Sequence, residues 1–272
     1  MSIKADYHLH SSFSTDSTAS MESMIQQGIE LGLTHMCFTE HNDFDYPENE
    51  NLPENAFLLS TKSYYETYLG LREKYADKIQ VQFGVELGLQ PYLAERHSIY
   101  TKSYPFDFII GSSHLCDGKD PYYPSFYQDI TEEEAYGSYF QSIINNIKAF
   151  TDFDVYGHLD YIVRYGPNAD HNYSYEKYKD LFDTILKLLI HNGKGIELNT
   201  GGVKNGLLEL HPCNGVLKRY KELGGEIITV GSDAHMPAQL TDSFKRAEDV
   251  LLDCGFHYYT IFKNREKTFI KL

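Results

Sequence analysis

The chain contains no tryptophan and only four cysteines, Cys37, Cys116, Cys213 and Cys254, with no CxxC pair among them. That argues against a paired-thiolate zinc ribbon and a disulfide-stapled fold, and Cys37 and Cys254 read as small core residues. Positive charge is also short, since 24 Lys and Arg face 39 Asp and Glu and leave a net charge of −15. Binding to a nucleic-acid polymer draws on basic surface that releases counterions, so no such partner is expected. A small anionic substrate stays open, because bound divalent cations reverse the local field inside a pocket. No apolar run approaches the roughly 20 residues that span a bilayer, so no membrane partner is expected. The opening residues, Met1-Ser2-Ile3-Lys4-Ala5-Asp6, lack the apolar segment of a secretory leader, and a cytoplasmic location with reduced thiols is the expectation. No linker or composition break divides the 272 residues, so 1–272 is expected to be one domain.

What the chain does have is histidine at strand ends. Side chains alternate along a strand, so His8 and His10, one residue apart, share a face. Ile3 to Tyr7 reads as a short strand, which puts both at its C-terminal end as half a metal site. Further strand-like runs end in Thr39-Glu40-His41, Gly84-Val85-Glu86, Ser112-Ser113-His114, Gly157-His158-Leu159-Asp160, Glu197-Leu198-Asn199 and Gly231-Ser232-Asp233-Ala234-His235. Helical periodicity separates most of them, over 19–31, 62–75, 131–150, 175–191, 214–223 and 241–254. Such alternation predicts an α/β chain with a parallel sheet and crossover helices. Seven units with polar residues at their exits fit a barrel with its active site at the C-terminal ends of the strands. A doubly wound open sheet is the structural alternative, but it spreads its strand exits along a line. The tail from 258 to 272 alternates and reads as a last hairpin or edge strand. The long loops over 42–60 and 117–129 are expected to shape the pocket.

The metal-ligating candidates are His8, His10, His41, His114, His158 and His235, with Asp16, Glu86, Asp233 and, as a further carboxylate, Glu40. One buried histidine is more often a hydrogen-bonded core residue than a ligand, yet six at equivalent positions in successive units point to metal. His35, His171, His191, His211 and His257 read as strand-start, loop or helix-end residues, and His97 stays open because it follows Glu86 closely. Mixed nitrogen and oxygen ligands leave zinc, manganese and iron all eligible. Neighbouring divalent ions lower the pKa of a bridging water and neutralise phosphate oxygens, so hydrolysis of a small phosphate monoester is the expected chemistry. Arg164 is the candidate bidentate clamp for phosphate, with Arg96 a weaker second. Asp160 is either an acid for the leaving group or an orienter of a ligand histidine. Glu197 and Asn199 either contact the substrate or hydrogen-bond behind the ligands, and Ser112 and Ser113 are candidate phosphate donors. Barrel amidohydrolases also begin with HxH but add a strand-borne lysine, and no lysine occupies such a strand end here. A non-catalytic metal-binding module is the alternative from another class.

The ordered motifs Asp6-Tyr-His-Leu-His10 with Asp16, Thr39-Glu-His41, Gly84-Val-Glu86, Ser113-His114, Gly157-His158 and Gly231-Ser-Asp-Ala-His235 resemble the PHP (polymerase and histidinol phosphatase) superfamily from residue 6 to about 235. Length, Ser112-Ser113-His114, and the run from Gly157 through His158 to Arg164 are most similar to the monofunctional histidinol-phosphate phosphatases. The resemblance implies a distorted (β/α)7 barrel holding three divalent metal ions. The first would be held by His8, His10, Glu86 and Asp233. The second would be held by Asp16, His41 and His235, and the third by a bridging Glu86 with His114 and His158. His235 then counts among the catalytic residues, with Asp160 and Arg164. Many relatives carry histidine where this chain has Asp16, which leaves the preferred metal open. The implied reaction is hydrolysis of L-histidinol phosphate to L-histidinol and phosphate, in histidine biosynthesis, by attack of a metal-bridging hydroxide. Arg164, Glu197 and Asn199 would be the substrate contacts. Nucleotides or phosphotyrosine are the alternative substrates within the superfamily.

Overall fold

The computed structural model describes residues 2–272. Seven parallel strands, β1 (Ala5–Leu9), β2 (His35–Asn42), β3 (Gln80–Gly88), β4 (Phe108–Ser112), β5 (Val155–Tyr156), β6 (Gly195–Asn199) and β7 (Ile228–Gly231), lie side by side in chain order. The helices between them are α1 (Met21–Glu30), α2 (Thr61–Lys74), α3 (Ala94–Tyr100), α4 (Glu132–Ala149), α5 (Lys179–His191), α6 (Gly201–Lys204) and α7 (Asn214–Glu222), with α8 (Phe244–Asp253) after β7. The exit of β7 returns to β1: Asp233 N donates to His8 O at 2.8 Å and His10 N to Ala234 O at 2.9 Å. The sheet is thus a nearly closed barrel, as the strand count predicts. It is uneven. β2 and β3 pair over eight residues, whereas β5 contributes two, and the β1–β2 register shifts between Asp6 and Leu9.

Strand parity divides the buried residues into two sets. One face of β3 packs on the helical layer, where the Phe83 ring lies 4.8 Å from that of Tyr64, 5.2 Å from Tyr68 and 4.7 Å from Phe106. Burying one such ring contributes about 1.5–3 kcal/mol, so these contacts anchor the barrel wall. The other face carries Glu86 into the barrel mouth. Local signals set the helix starts. Thr131 Oγ1 accepts from Glu134 N at 3.2 Å, and Thr131 N donates back to Glu134 Oε2 at 2.9 Å, a reciprocal cap that opens α4.

Several boundaries depart from the sequence reading. β1 starts at Ala5 because its pairing with His35 of β2 fixes the register, so His8 lies within the strand and His10 just beyond it. Gly201 and Gly202 do not simply end β6; they open the single turn of α6. α8 begins only at Phe244, since Ser243 adopts φ +60°, a left-handed conformation that breaks the helical run. α3 fills a segment for which no helix was expected. The tail forms the antiparallel hairpin β8 (Tyr258–Lys263) and β9 (Glu266–Lys271). It covers the barrel end opposite the histidines: Tyr7 Oη donates to Phe262 O at 2.7 Å, and Arg265 N to Asp107 O at 2.9 Å.

Candidate metal centre

Each strand delivers its side chain by parity. His8 on β1, His41 on β2 and Glu86 on β3 face the barrel mouth, joined by His10, His114, His158 and Asp233 from the segments just past β1, β4, β5 and β7. Asp233 sits at φ +53°, a left-handed conformation that Asp tolerates better than most residues. Gly231 cannot carry a side chain, because a Cβ there would collide with His8 Cβ and the Glu197 carboxylate.

The ligand-type atoms converge on Glu86. Its Oε2 lies 3.2 Å from His8 Nε2, 3.7 Å from His10 Nε2 and 3.0 Å from His41 Nδ1. Its Oε1 lies 3.1 Å from His114 Nε2 and 2.9 Å from His158 Nε2. Asp233 Oδ1 is 3.9 Å from His8 Nε2 and 3.7 Å from His10 Nε2. Asp16 Oδ2, on an exposed residue, is 3.1 Å from His235 Nε2 and 3.6 Å from His41 Nε2. All nine predicted ligands are therefore brought together. The groupings interlock, and His10 also stands with His41 and His235. Two atoms each about 2.1 Å from one tetrahedral ion lie about 3.4 Å apart, the spacing seen here.

The other ring nitrogens are tied down behind the cluster. His8 Nδ1 donates to Glu197 Oε1 at 2.6 Å, His114 Nδ1 to Asp43 Oδ2 at 2.8 Å, and His235 Nδ1 to Asp233 O at 3.0 Å. His10 Nδ1 donates to Ser14 Oγ at 3.1 Å, which donates in turn to Glu40 Oε2 at 2.6 Å. Histidines that bind metal through one nitrogen donate the other to such partners. The inward atoms His8 Nε2, His10 Nε2, His41 Nδ1, His235 Nε2 and Glu86 Oε2 are buried with no hydrogen-bond partner among the described residues. Buried polar atoms are costly unless paired. Four of these atoms converge around Glu86, with His235 beside His10 and His41, and such a donor set fits divalent cations.

Charge follows the same plan. Burial raises the Glu86 carboxyl, but the surrounding His8, His114 and His41 hold it well below the ordinary value. Burial likewise raises Asp233, and Arg164, His8 and Lys204 outweigh it and hold the group well down. Burial and the neighbouring His41, His235 and His8 push His10 well down, toward the neutral ring that metal coordination requires. Burial pushes Glu40 up to about 7 against its hydrogen bonds from Ser11 and Ser14.

The cluster floors a cleft of about 430 Å³ walled by Tyr46, Phe57, Tyr161, Tyr165, Arg164 and Lys204. Arg164 Nη1 pairs with Asp233 Oδ2 at 2.9 Å, its Nη2 donates to Asn199 Oδ1 at 3.0 Å, and its Nε is buried without a partner.

Other sequence-based roles are corrected. Asp160 neither reaches the cleft lining nor orients a ligand. Its carboxylate accepts from His211 Nδ1 at 2.5 Å, Cys213 N at 2.8 Å and Tyr173 Oη at 2.9 Å, and is fully engaged there. His211, read as a loop residue, is the buried partner in that clamp. Glu197 and Asn199 do not line the cleft. Glu197 stands behind His8 and also accepts from His158 N at 2.9 Å, and Asn199 braces Arg164. Ser112 Oγ donates to Glu86 Oε1 at 2.7 Å, and Ser113 Oγ sits 2.6 Å from Tyr156 Oη, so neither faces a phosphate. Arg96 pairs with Asp45 at 2.8 Å on the outer loop, and His97 is buried between Phe44 and Phe150. Asp43 was missed, although it shares the strand parity of His41 two residues earlier. Lys204, which donates to Asp233 O at 2.6 Å, had no sequence signal.

Comparisons with known proteins agree with this geometry. The PHP domain model matches residues 6–201. A Lactococcus lactis protein named histidinol-phosphatase is 31% identical over 260 residues, covering 95% of this chain and 94% of its own. A Clostridium acetobutylicum relative, named "Probable histidinol-phosphatase", is 32% identical over 253 residues, covering 92% of this chain and 93% of its own. The crystal structure of the histidinol phosphate phosphatase from Lactococcus lactis, complexed with zinc, L-histidinol and phosphate, superposes with a TM-score of 0.87. It is 30% identical, over 97% of this chain and 98% of that one.

Proposed function

Since this chain belongs to the PHP domain family, we propose that it is a metal-dependent phosphomonoesterase that hydrolyses L-histidinol phosphate to L-histidinol and phosphate. The observation that carries the reading is the convergence of unpartnered imidazole and carboxylate atoms around Glu86, beside a buried arginine. Relatives named histidinol-phosphatase across nearly the whole length support the substrate. The zinc, L-histidinol and phosphate bound by the Lactococcus lactis enzyme support it further.

Three divalent ions, zinc, manganese or iron, are assigned to His8, His10, Glu86 and Asp233; to Asp16, His41 and His235; and to Glu86, His114 and His158. Bound there, divalent ions supply an acidified water at neutral pH and positive charge against phosphate oxygens. The chain's own residues do the rest. Glu197, Ser14 and Asp43 hold three imidazoles in the tautomer that leaves Nε2 free to coordinate. Arg164 is fixed by Asp233 and Asn199, and its guanidinium in the cleft wall brings positive charge to bear on a phosphate. Lys204 adds positive charge at the same end of the cleft. The tyrosine wall lowers the polarity around the ester, which strengthens these charge contacts.

Among the described residues no helix is long and apolar enough to cross a membrane, and the four cysteines are free and buried; the cytoplasmic location is proposed with the biosynthetic role that the relatives' names support. A continuous core from Ile3 to Phe262 supports one domain over 1–272.

Phosphate release from metal-quantified protein tests the reading, with L-histidinol phosphate run beside a mononucleotide, a phosphotyrosine peptide and an aryl phosphate. A clear preference for L-histidinol phosphate is expected. Turnover of another ester with neglect of this one would overturn the substrate, and no turnover of any would overturn the enzyme.

A further inference from the structure

Arg164 stands at the end of a single helical turn, Tyr161–Arg164, that begins just after Asp160. Val163 N donates to Asp160 O at 3.0 Å, so the turn is built directly on that residue. The Asp160 carboxylate is outside the cleft lining and is gripped by His211 Nδ1, Cys213 N and Tyr173 Oη. At the far end of the arginine, Nη2 donates to Asn199 Oδ1 at 3.0 Å. That oxygen also accepts from Gly201 N at 2.8 Å, and Asn199 Nδ2 donates to Glu197 Oε2 at 3.2 Å, so the amide is held in one orientation. Asn199 and His211 are then joined through their backbones, Asn199 N to His211 O at 2.7 Å and His211 N to Asn199 O at 3.0 Å. The contacts close a ring that runs from Asp160 through the turn to Arg164, on to Asn199 and His211, and back to Asp160. His211 holds it at both points, with its imidazole on Asp160 and its backbone on Asn199. Both side chains of the pair are buried, and neither hydrogen-bonds to a ligand candidate among the described residues. A long, flexible arginine held at root and tip has already lost the rotamer freedom that phosphate binding would otherwise remove.

We propose that Asp160 and His211 are a positioning pair for Arg164. Asp160 fixes the root of the arginine, and His211, through Asn199, ties that root to the tip, so the guanidinium meets a phosphate at a set angle. Neither residue touches substrate or metal. The inference rests on the phosphomonoesterase reading above and gives a role to two buried residues that the metal cluster does not use.

A double-mutant cycle on the metal-loaded protein tests it, read as kcat/KM for L-histidinol phosphate and as Kd for inorganic phosphate by calorimetry. His211→Ala is expected to weaken both by about 10–100-fold, as for a charged group displaced by about an ångström. With Arg164 already replaced by alanine, the same substitution is expected to change either quantity by less than about twofold, because the group it positions is gone. His211→Asn keeps a donor near the Nδ1 position and recovers most of the loss. Asp160→Asn keeps the size of the side chain but sets an amide N–H against one of its donors, so it repeats the His211→Ala result at nearly unchanged volume. Metal content and Tm are measured for each variant. Equal losses with and without Arg164 overturn the proposal, because the pair then only braces the fold. So does loss of metal in step with loss of activity, which would mean that the pair acts on the cluster. Failure of the substrate reading looks different. A protein whose phosphate affinity shows the coupling but that ignores L-histidinol phosphate keeps the positioning pair and loses the named reaction. One that hydrolyses L-histidinol phosphate with simply additive losses keeps the reaction and loses the pair.

Discussion

Glu197 Oε1 accepts a 2.6 Å hydrogen bond from His8 Nδ1, so the carboxylate of β6 aims an imidazole that belongs to β1, on the far side of β7. The bond fixes the tautomer and turns Nε2 toward Glu86 and Asp233. Glu197→Gln removes the anion and keeps the shape. Metal affinity is expected to drop about 10–100-fold, read as metal retained against a competing chelator. Unchanged retention would remove Glu197 from this role.

Stripping the metal leaves the orphan atoms around Glu86 without partners. Dialysis against a chelator is expected to abolish phosphate release and to lower Tm by several degrees. At an ion concentration of 1,000 times Kd, binding contributes about 4 kcal/mol to the folded state. Zinc or manganese should restore both properties. Full activity in metal-free protein, checked by elemental analysis, would disprove the assignment.

Arg164 contacts Asp233 and Asn199 through separate nitrogens of one planar fork. Lysine keeps the charge and cannot hold that geometry. Arg164→Lys should cost about 100-fold in kcat/KM, and Arg164→Ala more, as expected for loss of a charge-assisted contact to phosphate. Steady-state kinetics on L-histidinol phosphate would show it. Near-wild-type turnover in the alanine variant would place Arg164 outside the reaction.

His97, outside the ligand candidates, is expected to make the fold acid-sensitive. The ring is buried with neither nitrogen paired among the described residues, and burial pushes its pKa down to about 4 from 6.5. Between those values the unfolded chain takes up a proton that the folded chain does not. Its stabilising contribution is therefore complete above pH 6.5 and is lost as pH falls toward about 4, by up to about 3 kcal/mol. His97→Phe should flatten the acid limb in denaturant titrations at pH 7, 6 and 5. An unaltered slope would show that this histidine is already protonated in the folded state.

Much of the architecture was legible in the sequence, and the nine residues it put forward as ligand candidates are ones the fold brings together. Strand parity and the repeated βα pattern are local properties, and parity alone puts His8 and His10 on one face. The same parity places Asp43 beside His41, a signal present in the chain but unused. The roles of Asp160, Glu197 and Asn199 could not be read in that way. A polar side chain near a strand's C-terminal end, within it like Glu197 and Asn199 or past it like Asp160, can face the mouth or a neighbouring segment, and its position along the chain is the same in both cases. Packing makes the choice: His211, Cys213 and Tyr173 capture Asp160, and His8 and His158 capture Glu197.

The sequence by itself determined which residues bring metal-binding chemistry and at which end of the barrel, because side-chain alternation and chain order are one-dimensional facts. Only the tertiary structure decided which of those residues converge on Glu86 and which stand behind them. That division depends on the closing seam between β1 and β7, the register of β1 on β2, and the two long loops that meet at Tyr46 and Asp120. Each joins residues distant in the chain, and their hydrogen bonds form only once the barrel has closed.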